Sequence, residues 1–239
     1  CRLPGWRNWQ TQGTQNPPPR EWLAGSIPAP GTMPNAKRTQ TFSESVIREM
    51  TRVANQYGAV NLSQGFPDFP MPDVMKEAAC AAIRGDVNQY AVTWGSKPLR
   101  DAIAGKYARR YGMTVDPERE LTVACGATEA TASVFLALFD PGDEVIIFEP
   151  FYENYGPDAI LCEAKPVFVP LVAPDWHFDA ALVRAAITPK SRAIVLNSPH
   201  NPSGHVFSRA EMQTIADIAI EHDLIVITDD PYEYIIFEG

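Results

Sequence analysis

The chain has 239 residues, 45% of them hydrophobic, with 20 lysines and arginines against 29 aspartates and glutamates and a formal net charge of −9. That acidity, with no block of basic residues, argues against a general nucleic-acid or membrane-surface role, because phosphate binding needs a basic face; small-molecule chemistry is the expectation. Cys1, Cys80, Cys125 and Cys162 are widely spaced without a CxxC pair, which suggests neither a disulfide framework nor a zinc site and fits a cytoplasmic protein, and no apolar run approaches the roughly 20 residues that span a bilayer.

Residues 1–32 are rich in Pro, Gly, Gln and Trp and carry neither helical nor strand periodicity. They read as a disordered or non-native leader resembling translation through a transfer-RNA gene, with Met33 as a natural start. An N-terminal arm is expected over 33–72.

From residue 73 onward the chain alternates between two periods. Helical spacing is expected at Asp73 to Arg84, Pro98 to Tyr111, Ala127 to Phe139, Asp179 to Ile187 and Arg209 to Glu221. Apolar strands are expected at Leu121 to Cys125, Glu144 to Pro150, Pro166 to Val169, Ala193 to Leu196 and Leu224 to Thr228, and Asp140-Pro-Gly-Asp143 reads as a turn. Ser208 with Glu211 forms a capping box ahead of an apolar stripe of Met212, Ile215, Ala216 and Ala219. Continuous β-branched strands between helices predict an α/β fold, a three-layer sandwich around a mostly parallel sheet.

Ligands of such folds bind at the carboxyl ends of the strands. Four segments fall there: Cys125-Gly-Ala-Thr128, Glu149-Pro-Phe-Tyr152, Asn197 to Gly204 and Asp229 to Tyr232. The turn at Gly126-Ala-Thr-Glu129 either holds a phosphate on the first backbone N–H groups of a helix or is merely tight. Phe151 and Tyr152 either stack on a flat heteroaromatic ligand or pack in the core. Asn201 either donates to a ligand oxygen or makes an Asn-Pro turn. Asp229 is the sharpest feature, since a carboxylate after Leu-Ile-Val-Ile-Thr is half-buried and needs a cationic or donor partner; a protonated pyridine nitrogen, as in pyridoxal phosphate, is one such partner. Asp230 takes the blander reading of a cap or loop acid. Tyr232 either donates to the same ring or packs.

Taken together, VNLSQGFPDFPMPD (60–73), NQYAVTWGSKPLRDAIAGKY (88–107), VACGATEA (123–130), DEVIIFEPFYENY (143–155), NSPHNPSG (197–204) and ITDDPYEYIIFEG (227–239) resemble the class I and II aminotransferases of fold type I. The likeness is to the kynurenine/glutamine and methionine aminotransferase-like branch and runs from Phe42 to Gly239. It implies that 73–239 is the N-terminal part of a pyridoxal 5'-phosphate-binding large domain. It also implies that Ala127 and Thr128 bind the cofactor phosphate, that Tyr152 stacks on the ring, that Asn201 and Tyr232 bond its phenolic oxygen and that Asp229 pairs with its nitrogen. Gly65 would offer backbone to the substrate carboxylate. Tyr90 would reach the phosphate of a neighbouring subunit, which implies a homodimer.

The implied reaction moves an amino group from an amino acid to a 2-oxo acid. A carbon–sulfur β-lyase of the same fold and a non-catalytic cofactor-binding module are the alternatives. Two departures stand out. Pro231 interrupts the segment after Asp229, and the family's Ser-x-Ser-Lys motif, whose lysine forms the Schiff base with the cofactor, is absent together with the later arginine that grips the substrate carboxylate. Lys37, Lys76, Lys97, Lys106, Lys165 and Lys190 are read as helix-face or loop charges. The expectation is a C-terminally truncated fragment that lacks its catalytic lysine and does not transaminate by itself.

Overall fold

The computed structural model describes residues 36–41, 45–65 and 67–237; the leader reading for 1–32 lies outside them. The chain divides into a unit ending at Tyr90 and a unit from Ala91 onward. In the first unit a short 3-10 turn, Lys37–Gln40, precedes helix α1, Val46–Tyr57, and helix α2, Asp73–Arg84. The Ser45 hydroxyl accepts from the Arg48 N–H at the start of α1, and Gly58 ends it with φ +60°. Neither helix buries a residue.

The second unit holds α3 (Lys97–Tyr111), α4 (Gly126–Leu138), β1 (Glu144–Glu149), α5 (Tyr155–Leu161), β2 (Lys165–Val172), β3 (His177–Phe178), α6 (Ala180–Ala186), β4 (Ser191–Asn197), α7 (Arg209–Glu221) and β5 (Ile225–Asp229). The sheet order is β3-β2-β1-β4-β5. β1 lies parallel to β2 and β4, β4 lies parallel to β5, and only the two-residue β3 runs antiparallel, against Leu171 and Val172.

Successive side chains of a strand point to opposite faces, and the core divides accordingly. Ile146 and Phe148 of β1, with Ile194 and Leu196 of β4, pack against Val183 of α6 and Ile215 and Ile218 of α7. Val145 and Ile147, with Ala193 and Val195, pack against Phe135 of α4 and Tyr155 and Ala159 of α5. Helices therefore cover both faces of β1 and β4, giving three layers. The cover thins at β5, where Ile227 packs partly buried against the second cluster while Ile225 and Val226 are exposed.

The expected capping box is present: the Ser208 hydroxyl accepts from the Glu211 N–H while the Glu211 carboxylate accepts from the Ser208 N–H. So is the Asp140 to Asp143 turn, closed by a bond from the Asp143 N–H to the Asp140 carbonyl at 3.1 Å. The strand expected at Leu121 to Cys125 does not form. A strand needs a ladder, and this segment has a single such bond, from the Val123 N–H to the Trp94 carbonyl at 3.0 Å. The chain comes so close there that a Cβ on Gly95, at φ +103°, would lie 2.7 Å from Val123, so only glycine fits. Lys165 also departs from its helix-face or loop reading. It opens β2, with its ammonium 2.9 Å from the buried Glu144 carboxylate. No described helix is long and apolar enough to cross a membrane.

Candidate functional site

The parallel strands β1, β4 and β5 release their chains at one edge, and the residues that follow enclose a cavity of 160 Å³. Ala127, Tyr152, Asn197, Asn201, Asp229 and Tyr232 line it, together with Pro231. Five of the eight residues singled out from the sequence thus meet at one place. Thr128 lies beside Ala127 in the first turn of α4, where backbone N–H groups have no intrahelical partner. Its hydroxyl accepts from the Asn154 amide at 3.0 Å, which joins that turn to the segment after β1. Gly126 opens α4 directly from irregular backbone with φ +83°, so the turn does not follow a strand as expected. Glu129 reaches back to accept from the Cys125 N–H. Gly65 and Tyr90 belong to the first unit, and both are exposed.

Asp229 is the last residue of β5 and is registered opposite Asn197, the last residue of β4. Its carboxylate Oδ2 accepts from the Tyr155 hydroxyl at 2.6 Å. Burial, then the hydrogen bond to Asp229 and the charge of that group, raises the Tyr155 phenol far above its ordinary range, so it stays a donor. Asp230, the adjacent acid, is exposed. Asn201 Nδ2 donates to the Tyr232 hydroxyl at 3.3 Å, which aligns the amide and the phenol along one wall. The Tyr152 ring meets the Tyr155 ring edge-on, with centroids 5.7 Å apart, while Phe151 turns away and stacks on Phe168 at 5.0 Å. The two readings of that aromatic pair are therefore divided: Tyr152 lines the cavity and Phe151 packs.

Three contributors escaped the sequence reading. Asn197 is buried, and its carboxamide bonds both the Asp229 carbonyl and the Asn201 N–H at 2.6 Å each. Tyr155 and Asn154 were read only as the end of the motif DEVIIFEPFYENY (143–155). The available signal was a polar residue closing the apolar run Ala193-Ile-Val-Leu-Asn197, since a buried amide requires partners. Among the described residues no cluster of His, Cys, Asp and Glu is fit to hold a metal ion.

The site thus offers an aromatic wall, a carboxylate, an amide with a phenol, and a helix N-terminus. Residues 57–239 match the family described as aminotransferase class I and II. The chain is 48% identical over 204 residues to the probable N-succinyldiaminopimelate aminotransferase DapC of Mycobacterium tuberculosis, covering 84% of this chain and 51% of that protein. It is 39% identical over 216 residues to kynurenine--oxoglutarate transaminase 3 of Mus musculus, covering 86% and 48%. A solved aspartate aminotransferase from Thermus thermophilus with maleate superposes with a TM-score of 0.82 at 34% identity, covering 87% of this chain and 56% of the other. The chain spans about half the length of the curated relatives it matches. It belongs to the aminotransferase class I and II family.

Proposed function

We propose that this chain contributes the cofactor-binding half of an aminotransferase that moves an amino group from an amino acid to a 2-oxo acid. Members of the family are pyridoxal-phosphate enzymes. The donor set fits that group: Asp229 for the ring nitrogen, Asn201 and Tyr232 for the phenolic oxygen, Tyr152 for the ring face, and Ala127 with Thr128 for the phosphate at a helix N-terminus. When bound, the cofactor acts as an electron sink for the bonds of the amino acid's α-carbon. The protein's part is to keep the ring flat against Tyr152 and a proton on the ring nitrogen beside Asp229. Gly65 is assigned to the substrate carboxylate, and Tyr90 to the phosphate of a second copy in a homodimer. A cytoplasmic location is supported by the free thiols of Cys80, Cys125 and Cys162.

The observation that carries this reading is the convergence of Asp229, Asn201, Tyr232 and Tyr152 on one cavity. Pyridoxamine 5'-phosphate, which forms no covalent adduct with lysine, is the probe. It should bind the chain, Asp229→Asn should weaken binding at least tenfold, and Asp230→Asn should leave it within twofold. No binding, or equal effects of the two substitutions, would overturn the assignment.

A further inference from the structure

Asp229 is held at two points by two different elements. Its carbonyl accepts from Asn197 at the end of β4, and its Oδ2 accepts from Tyr155, the first residue of α5. The second hold is the more specific, because a phenol has one proton and Tyr155 commits it to one carboxylate oxygen. The ring of Tyr155 is 3% exposed and sits in the core cluster with Phe135, Ile147, Ala159 and Val195, so the hydroxyl is placed by packing beneath the sheet. With Oδ2 tied down, Oδ1 is left for whatever enters the cavity. A hydroxyl donating to a carboxylate also favours its charged form.

We propose that Tyr155 is a positioning residue whose hydroxyl fixes the Asp229 carboxylate so that its free oxygen meets the cofactor's ring nitrogen with the proton on nitrogen. This rests on the cofactor reading of the cavity given above. The tyrosine acts through Asp229 and does not touch the ring itself. Without the hydroxyl the carboxylate can rotate, and the shared proton moves toward the aspartate.

The test is a double-mutant cycle with pyridoxamine 5'-phosphate labelled with ¹⁵N in its ring, read by binding affinity and by the pH titration of the bound ¹⁵N resonance. Tyr155→Phe should weaken binding five- to tenfold and lower the pH at which the bound nitrogen loses its proton. In an Asp229→Asn background the same substitution should change affinity less than twofold. Tyr155→Leu, which removes the hydroxyl with a different packing volume, should reproduce the titration shift, which a purely structural role would not. An unchanged titration in both variants, or an equal loss in the Asp229→Asn background, overturns the proposal while the cofactor reading stands. Failure of the unmodified chain to bind the probe overturns both.

Discussion

The Asn197 carboxamide donates to the Asp229 carbonyl at 2.6 Å while accepting from the Asn201 N–H at 2.6 Å, so one buried side chain joins the ends of β4 and β5 to the loop between them. Asn197→Ala would strand a carbonyl and an N–H. A loss of about 2 to 3 kcal/mol is expected from two orphaned backbone groups. Ser208→Ala, which removes an exposed cap, should cost about 1 kcal/mol. Urea unfolding of both variants checks the order.

Asp158 on α5 is 7% exposed and its Oδ2 has no hydrogen-bond partner, so burial pushes its carboxyl from 3.8 to about 6. The folded chain then holds a proton that the unfolded chain has released between those values, and stability falls as pH rises from about 4 to 6. Asp158→Asn removes the buried charge. It should stabilise the chain at pH 7 by about 1 to 2 kcal/mol and lose that advantage at pH 4. Chemical denaturation at the two pH values measures the difference.

His200 behaves in the opposite sense. Burial, aided by the charge of His205, lowers its imidazole from 6.5 to about 4, and its Nδ1 lies 2.7 Å from the Ser203 hydroxyl. Here the unfolded chain takes up the extra proton, so this contribution is present above pH 6.5 and is lost as pH falls toward 4. The two groups offset each other across the same acidic range. Relative to the unmodified chain, Asp158→Asn should steepen the loss of stability on acidification, and His200→Gln should flatten or reverse it. Parallel pH profiles for the two variants would contradict this account.

Glu144 opens β1 almost fully buried, and its carboxyl is held below the usual range by the Thr188 hydroxyl at 2.6 Å and the Lys165 ammonium at 2.9 Å. These partners should not contribute equally, because the Lys165 side chain is 68% exposed and screened by water. Thr188→Val is expected to cost about 1 to 2 kcal/mol, and Lys165→Met under about 1 kcal/mol. Equilibrium unfolding at pH 7 distinguishes the two.

Strands β1 and β4 were legible because their β-branched runs are buried on both faces, so no other element suits them. The Leu121 to Cys125 run is likewise short and apolar but has only one ladder bond, a tertiary fact that local pattern does not contain. Helix α5 was not expected, being only seven residues long with Gly156 and Pro157 near its start; at the first turn a proline costs nothing, since its N–H would be unpaired there anyway. β2 runs on to Val172 through Pro166 and Pro170, which stand four residues apart and turn their missing donors to the same side of the strand. In the site, Asp229, Asn201 and Tyr232 were found as polar residues following apolar runs. Asn197 closes an apolar run in the same way but was not singled out, and Tyr155 carries no such mark; both hold another residue, a relation that exists only once the strand ends are side by side.

Among the described residues the strand that ends in Asp229 is also the outermost of the sheet, paired with β4 alone, and it leaves Ile225 and Val226 exposed. Its outer row of amides and carbonyls is a template on which another extended segment can add. Concentration-dependent aggregation should therefore begin at β5, and any substitution that loosens the Asn197 tie should lower the yield of dispersed chain before its effect on ligand affinity can be read.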